Sequence, residues 1–162
     1  YMQNSEWLQG FALLSKYNLS FDMQIHDTQL PQACSVAQKF PETLIILDHL
    51  GSPSAFNAEG FKYWQEQLAK LAEHSNVRIK LSCLGCLFKK NDPELIIPYI
   101  QEAVRLFGAD RCMVGSNCPP DAVHIPLDDI FDLMRMACIN LPESQQHQIF
   151  YETANQSYRL SE

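Results

Sequence analysis

The chain has 162 residues, 46% of them hydrophobic and 19% charged, a balance that suits a folded domain with one core and excludes a disordered or fibrous chain. A net charge of −7 argues against nucleic acid or an anionic membrane as main partner, since both demand clustered Lys and Arg and Lys89-Lys90 is the only basic pair of note. No apolar run approaches the roughly 20 residues of a membrane span and the start lacks a signal-peptide pattern. The six cysteines sit mostly in apolar segments (Cys34, Cys112, Cys138), which suits a reducing compartment and predicts the cytoplasm.

The chain opens on a helix instead of an initiator methionine, so it reads as a cut piece. Trp7, Leu8, Phe11 and Leu14 fall at helical spacing after the capping candidates Asn4 and Ser5, and Asn18 suits the helix end. Leu19 to Ile25 reads as a strand interrupted by Asp22 and Gln24, with His26 and Asp27 just beyond it. Leu30, Cys34 and Ala37 make the next helical stripe, with Pro31 in its first turn. Leu44-Ile45-Ile46-Leu47 reads as a strand buried on both faces, which delivers Asp48 and His49 to its C-terminal rim before Gly51 and Pro53 turn the chain. Phe61, Trp64, Leu68 and Leu71 mark an amphipathic helix, and Val77 to Leu81 another buried strand. Asp92-Pro93 offers a cap and first-turn proline to a helix that ends at Gly108, with Pro98 expected to kink or restart it. Arg111 to Ser116 is a short fourth strand leading to Asn117-Cys118-Pro119-Pro120-Asp121, and two helices around Ile130 to Ala137 and Ile149 to Ala154 close the chain.

The expected fold is therefore α/β, with strand starts near 19, 44, 77 and 111 at a spacing that suits parallel βαβ units. Four strands make either a small doubly wound sheet or half of an eight-stranded barrel, and periodicity does not choose between them. A complete (β/α)8 barrel takes about 250 residues, so this chain would supply only its second half. With no shift in composition along the chain, residues 1–162 read as a single unit.

Ligands of parallel sheets gather at the C-terminal strand ends, and the candidates there each carry two readings. His49, before a glycine, can bind a divalent metal or polarise a carbonyl, or it is a structural strand-end histidine. His26 offers a second imidazole, or faces solvent. Asp48 alternates to the face opposite His49, giving an orienting role or a salt bridge behind the sheet. Lys80 and Ser82 share one face of the third strand, where Lys80 either meets an anionic substrate or snorkels out of the core. Cys83 and Cys86 have zinc-loop spacing, but no second Cys pair or nearby His completes four ligands in the sequence. The Gly115-Ser116-Asn117 turn is too poor in glycine to cradle phosphate, and G-x-S-x-G is absent.

Leu47-Asp48-His49-Leu50-Gly51-Ser52-Pro53, Ile79-Lys80-Leu81-Ser82, Met113-Val114-Gly115-Ser116-Asn117-Cys118-Pro119 and Ala154-Asn155-Gln156-Ser157-Tyr158-Arg159-Leu160, with Leu19 to Gln24, together resemble the amidohydrolase-2 branch of the TIM-barrel amidohydrolases, closest to its aldonolactonase-like members. The resemblance covers nearly the whole chain and implies strands five to eight of the barrel. It implies an active-site role for His49, with zinc as the default metal, although the lactonase-like branch also holds metal-independent members. The family's first-strand His-x-His pair has no match from Tyr1 onward. Asn117 stands where an acidic residue usually activates water or binds metal, and Cys118 where an aromatic is usual. An amide takes no proton near neutral pH, and losing a general base costs about 10² to 10⁴ in rate. The resemblance of this turn to a Ser-Asn-x-Pro-x-Asp form in some relatives offers Asp121 as an alternative source of the carboxylate.

The implied function is hydrolysis of a small-molecule ester or sugar-acid lactone, with His49, Asn117 and Asp121 as catalytic candidates, His49 as metal ligand, and Lys80, His26 and Ser82 binding substrate. The chain by itself is expected to be inactive. Two other readings stay open: a non-catalytic half barrel that self-associates through exposed sheet edges, and a four-stranded flavodoxin-like binding domain, which lacks the Gly-rich first loop.

Overall fold

A computed structural model describes residues 1–160. Four parallel strands, β1 (Phe21–Met23), β2 (Ile45–Leu47), β3 (Val77–Leu81) and β4 (Cys112–Val114), form one sheet in the order β1-β2-β3-β4. Its register aligns Phe21 with Ile45 and Val77, and Leu47 with Ile79 and Cys112. The helices are α1 (Ser5–Phe11), α2 (Leu13–Lys16), α3 (Leu30–Lys39), α4 (Ala58–Ala72), α5 (Leu84–Phe88), α6 (Pro93–Phe107), α7 (Leu127–Cys138), α8 (Glu143–His147) and α9 (Thr153–Tyr158). Parallel neighbours require long crossovers, and α3, α4 and α6 lie in those connections. No helix among the described residues is long and apolar enough to cross a membrane.

Alternation along each strand separates two faces. Phe21, Met23, Ile45, Leu47, Val77, Ile79, Leu81 and Cys112 pack into the apolar core with buried residues of α3, α4, α6 and α7. Each fully buried aliphatic side chain there contributes roughly 1.5–3 kcal/mol. Ile46 and Met113 are equally buried but lie outside that cluster, because they share the other face with Asp22, Asp48, Arg78, Lys80 and Ser82. The terminal segment closes over the foot of that face. Thr153 Oγ1 donates to the Ala109 carbonyl (3.2 Å), the Arg78 guanidinium donates to the Thr153 carbonyl (3.4 Å) and to Ser157 Oγ, and Tyr158 Oη donates to Asp22 (3.0 and 3.1 Å).

Local chemistry explains where the helices begin and stop. Asn4, Asn57 and Asp92 each accept a backbone N–H in the first turn, from Trp7 (2.9 Å), Gly60 (2.8 Å) and Leu95 (3.3 Å). Asn18, expected as a helix end, adopts φ +53° beyond α2. Three expectations change. The first helix breaks at Ala12 into α1 and α2, and the strand expected from 19 to 25 pairs only over Phe21–Met23. Pro98 does not restart the helix, because α6 runs as one element from Pro93 to Phe107 through it. It sits near the helix start, and the buried stripe Ile96, Tyr99, Ile100, Ala103, Val104 and Phe107 outweighs the one lost backbone bond.

Candidate active site

The site is built on the turn that follows β2. His49, Leu50, Gly51 and Ser52 all have positive φ (60°, 56°, 68° and 45°), a run of left-handed residues of which only one is glycine. Each non-glycine residue in that conformation costs roughly 1–2 kcal/mol, so the surroundings must hold it. Gly51 N–H donates to the Asp48 carbonyl (3.0 Å) and Ser52 N–H to the His49 carbonyl (2.8 Å). From the core side, Leu50 is 0% exposed and Trp64 Nε1 donates to the Leu50 carbonyl (2.7 Å). Asp27, buried beside the turn, donates its N–H to the Ser52 carbonyl and accepts from the Ser54 N–H and hydroxyl through its carboxylate.

This turn corrects the expected alternation of Asp48 and His49. The strand ends at Leu47, and positive φ at His49 swings its imidazole back over β3 instead of to the opposite side. His49 Nδ1 and Ser82 Oγ share a 2.9 Å hydrogen bond, while Asp48 pairs with Lys80 Nζ at 2.7 Å. Both residues therefore meet β3 on the same face. Burial lowers the His49 pKa below its usual 6.5, the Asp48 and Asp121 charges opposing the shift and Lys80 reinforcing it. The imidazole is consequently neutral near neutral pH.

Lys80 sits in a cage of partners. Besides Asp48 it pairs with Asp22 (3.3 Å) and lies 5.6 Å from the centre of the Tyr158 ring. Burial would depress its pKa, but the bonds to Asp48 and Tyr158 hold it above the ordinary lysine value. An anionic substrate reaching Lys80 competes with two carboxylates. Gly115, just beyond β4, leaves room beside Lys80 and Ser82, since a Cβ there would meet Ser82 Cβ at 3.3 Å and Lys80 Cδ at 3.4 Å.

The loops after β3 and β4 are fastened to each other. Asp121 is 0% exposed, and its carboxylate accepts from Gly85 N–H (3.0 Å), Cys86 N–H (3.1 Å) and Asn117 Nδ2 (2.8 Å). Asn117 is half-buried with φ +49°. Cys83 and Cys86 flank this junction. Burial pushes the Cys83 thiol up to about 12, with the Asp121 charge adding to the shift, and raises the Cys86 thiol as well. Neither thiol is a thiolate nucleophile at neutral pH.

The structure thus brings His49, Ser82, Lys80 and Asp48 together at the ends of β2 and β3, with Asn117 and Asp121 on the β4 loop alongside. His26 stands exposed beyond β1, and no hydrogen bond or ion pair ties it to this group. Sequence reasoning missed Asp22 and Tyr158 as partners of Lys80. The signal for Asp22 was present, because a carboxylate in the middle of an apolar strand shares its parity with Lys80 once the register is known. Tyr158 arrives from 78 residues away through the packing of α9 and left no local trace.

A metal at His49 would need further donors. Among the described residues the one group of three potential ligands with mutually close donor atoms is Cys83, Cys86 and Asp121, and His49 is not part of it. The residues around His49 therefore do not make a metal site by themselves. Cavities of about 430 and 340 Å³ are lined by residues such as Val104 of α6 with Leu141 of the α7–α8 connection, and Phe61 with Tyr99, and His49 lines neither.

The amidohydrolase family model matches residues 3–160. An uncharacterized protein of Sinorhizobium fredii is 33% identical over 155 residues, covering 96% of this chain and 52% of its own length. An L-fucono-1,5-lactonase of Burkholderia ambifaria is 30% identical over 105 residues, covering 64% of this chain and 36% of its own. The chain spans 36% to 58% of the length of the curated relatives it matches. Crystal structures of a Burkholderia multivorans amidohydrolase, one with bound HEPES and one with bound zinc, superpose with a TM-score of 0.91 at 22% identity. They cover 98% of this chain, which corresponds to 59% and 58% of theirs. The four parallel strands match the C-terminal half of that TIM barrel, which settles the choice between a half barrel and a flavodoxin-like sheet. On the family match and this fold, the chain belongs to the amidohydrolase family.

Proposed function

We propose that these residues form the C-terminal half of the active site of a hydrolase that opens a small ester or lactone, a sugar-acid lactone being the first substrate class to test. The observation that carries this reading is the neutral His49 imidazole, bound to Ser82 and held on a strained turn at the mouth of the sheet. The lactonase names of two curated relatives support the substrate class.

With Nδ1–H donated to Ser82 Oγ, His49 Nε2 carries the lone pair that accepts a proton from water. The hydroxide adds to the carbonyl carbon, the C–O bond of the ester breaks, and the proton on Nε2 passes to the departing alkoxide. Lys80 supplies positive potential toward the developing oxyanion, tempered by Asp48 and Asp22. Asn117 orients water or a substrate hydroxyl through its amide oxygen. Asp121, buried and engaged by three N–H donors, positions Asn117 and the start of α5 instead of taking a proton itself. The zinc-bound Burkholderia multivorans structure and the family support a divalent metal as a candidate cofactor. His49 would offer it one nitrogen, and the steps above use none.

The test is proton release on lactone opening by the full-length gene product, with and without chelator. Turnover that falls by about 10² or more in His49→Ala supports the proposal. Undiminished turnover in that variant, or no turnover of any lactone or ester, contradicts it. A second reading rests on β1 and β4, which are both sheet edges: a structural half barrel that pairs with copies of itself. A concentration-independent monomer in size-exclusion chromatography rules that out.

A further inference from the structure

Cys83, Cys86 and Asp121 come from loops that follow different strands, yet one sulfur or oxygen atom from each lies within 4.8 Å of the others. We propose that these three side chains form a binding site for a zinc-class divalent ion. Two thiolates and one carboxylate are its protein ligands, and water takes the fourth position. The site shares Asp121 with the proposed hydrolytic site but takes no ligand from His49.

Size, chemistry and rigidity all favour it. In a tetrahedral zinc site with Zn–S near 2.3 Å and Zn–O near 2.0 Å, two sulfurs stand about 3.8 Å apart and a sulfur and an oxygen about 3.5 Å, so no pair of the three donors needs to close by more than about 1.3 Å. Side-chain rotation alone supplies a movement of that size. The Cys-x-x-Cys spacing is that of zinc loops, and the third ligand, which the sequence hides, arrives from 35 residues downstream. Soft thiolates select zinc or cobalt over magnesium and calcium.

The loops are also locked together before any ion binds. Asp121 is tied to the backbone of Gly85 and Cys86, and a Cβ at Gly85 would meet the Asp121 carbonyl oxygen at 2.4 Å. Those two backbone bonds and the one from Asn117 leave the carboxylate one acceptor position of its roughly four, which the Cys86 thiol engages until it gives up its proton. Lys89 lies close enough to both thiols to favour their charged forms, which offsets part of the net negative charge of three anionic ligands. Cys86 is only half-buried, giving an ion a way in. Binding forms two metal–sulfur bonds and one metal–oxygen bond to Asp121, keeps one water of the hydrated ion as fourth ligand, and releases the two thiol protons to solvent, with no change of oxidation state.

The experiment is an anaerobic titration of the reduced, metal-stripped chain with cobalt(II). The expected result is a sulfur-to-cobalt charge-transfer band that saturates at one equivalent, is displaced by zinc, and is untouched by excess magnesium. Cys83→Ser and Cys86→Ser each lose at least half of the band, Cys34→Ser keeps it, and Asp121→Asn keeps a sulfur band with affinity weakened about tenfold or more. His49→Ala leaves the band unchanged, which separates this site from the one proposed for hydrolysis. Far-ultraviolet circular dichroism checks that each variant folds, and Cys86→Ser, at a half-exposed position, is the variant best able to do so. A folded, reduced chain with no sulfur band at one equivalent overturns the proposal. A band that persists in the Cys83→Ser, Cys86→Ser double variant, or that vanishes in His49→Ala, overturns it equally.

Discussion

On the helix-covered face of the sheet, Ile45, Leu47, Val77, Ile79 and Leu81 are buried members of the apolar core. The residues between and just beyond them on the same strands present Asp48, Arg78, Lys80 and Ser82 to the other face, where Asp22 and Tyr158 join them. One face fixes the strands at a cost in side-chain freedom that burial repays, while the other uses that rigidity to hold charged groups within 3.3 Å of each other. Stability and chemistry are thereby assigned to alternate residues of one strand, and mutations at adjacent positions should report different things.

The largest expected effect is on the apolar face. Ile79→Ala should cost about 2–5 kcal/mol in urea unfolding, because it opens a cavity beneath the sheet. The loops come next. Gly85→Ala should destabilise by about 1–3 kcal/mol, since the new methyl group displaces the Asp121 backbone. On the charged face, Lys80→Met should cost only about 1–2 kcal/mol, between the values of exposed and buried ion pairs, because Asp22 stays partly solvated. If Lys80→Met proves as damaging as Ile79→Ala, the division of labour between the faces is wrong.

The smallest effect is a pH dependence. The folded-state pKa of His49 is depressed below 6.5, so between those two values the unfolded chain binds more protons than the folded one. Stability should therefore be flat above 6.5 and fall as pH drops through that window, and His49→Gln should flatten the slope. A steeper slope in the variant would show that other groups dominate this range.

Much of this could be read from the sequence because the strands are short, apolar and evenly spaced. Four short, mostly apolar runs, each followed by a helical stripe, leave few alternatives to a parallel sheet. His49, Ser82 and Lys80 were legible because they sit at or near the ends of those runs. The contact of His49 with Ser82 was not, since strict alternation fails once His49 adopts positive φ, a conformation that neither His49 nor Leu50 announces. Asp121 was recognised as a carboxylate near the mouth, but its burial under α5 depends on a short helix with no periodicity long enough to detect. The same contact between loops, invisible along the chain, is what joins Cys83 and Cys86 to a third donor.

The central claim is that His49 is held as a neutral imidazole with Nδ1 tied to Ser82 and Nε2 free, and nitrogen-15 NMR of the imidazole across a pH titration tests it most directly. The account predicts the Nδ1–H tautomer near neutral pH, a midpoint below 6.5, and a mixture of tautomers in Ser82→Ala. An imidazolium near neutral pH, or an Nε2–H tautomer indifferent to Ser82→Ala, would contradict it.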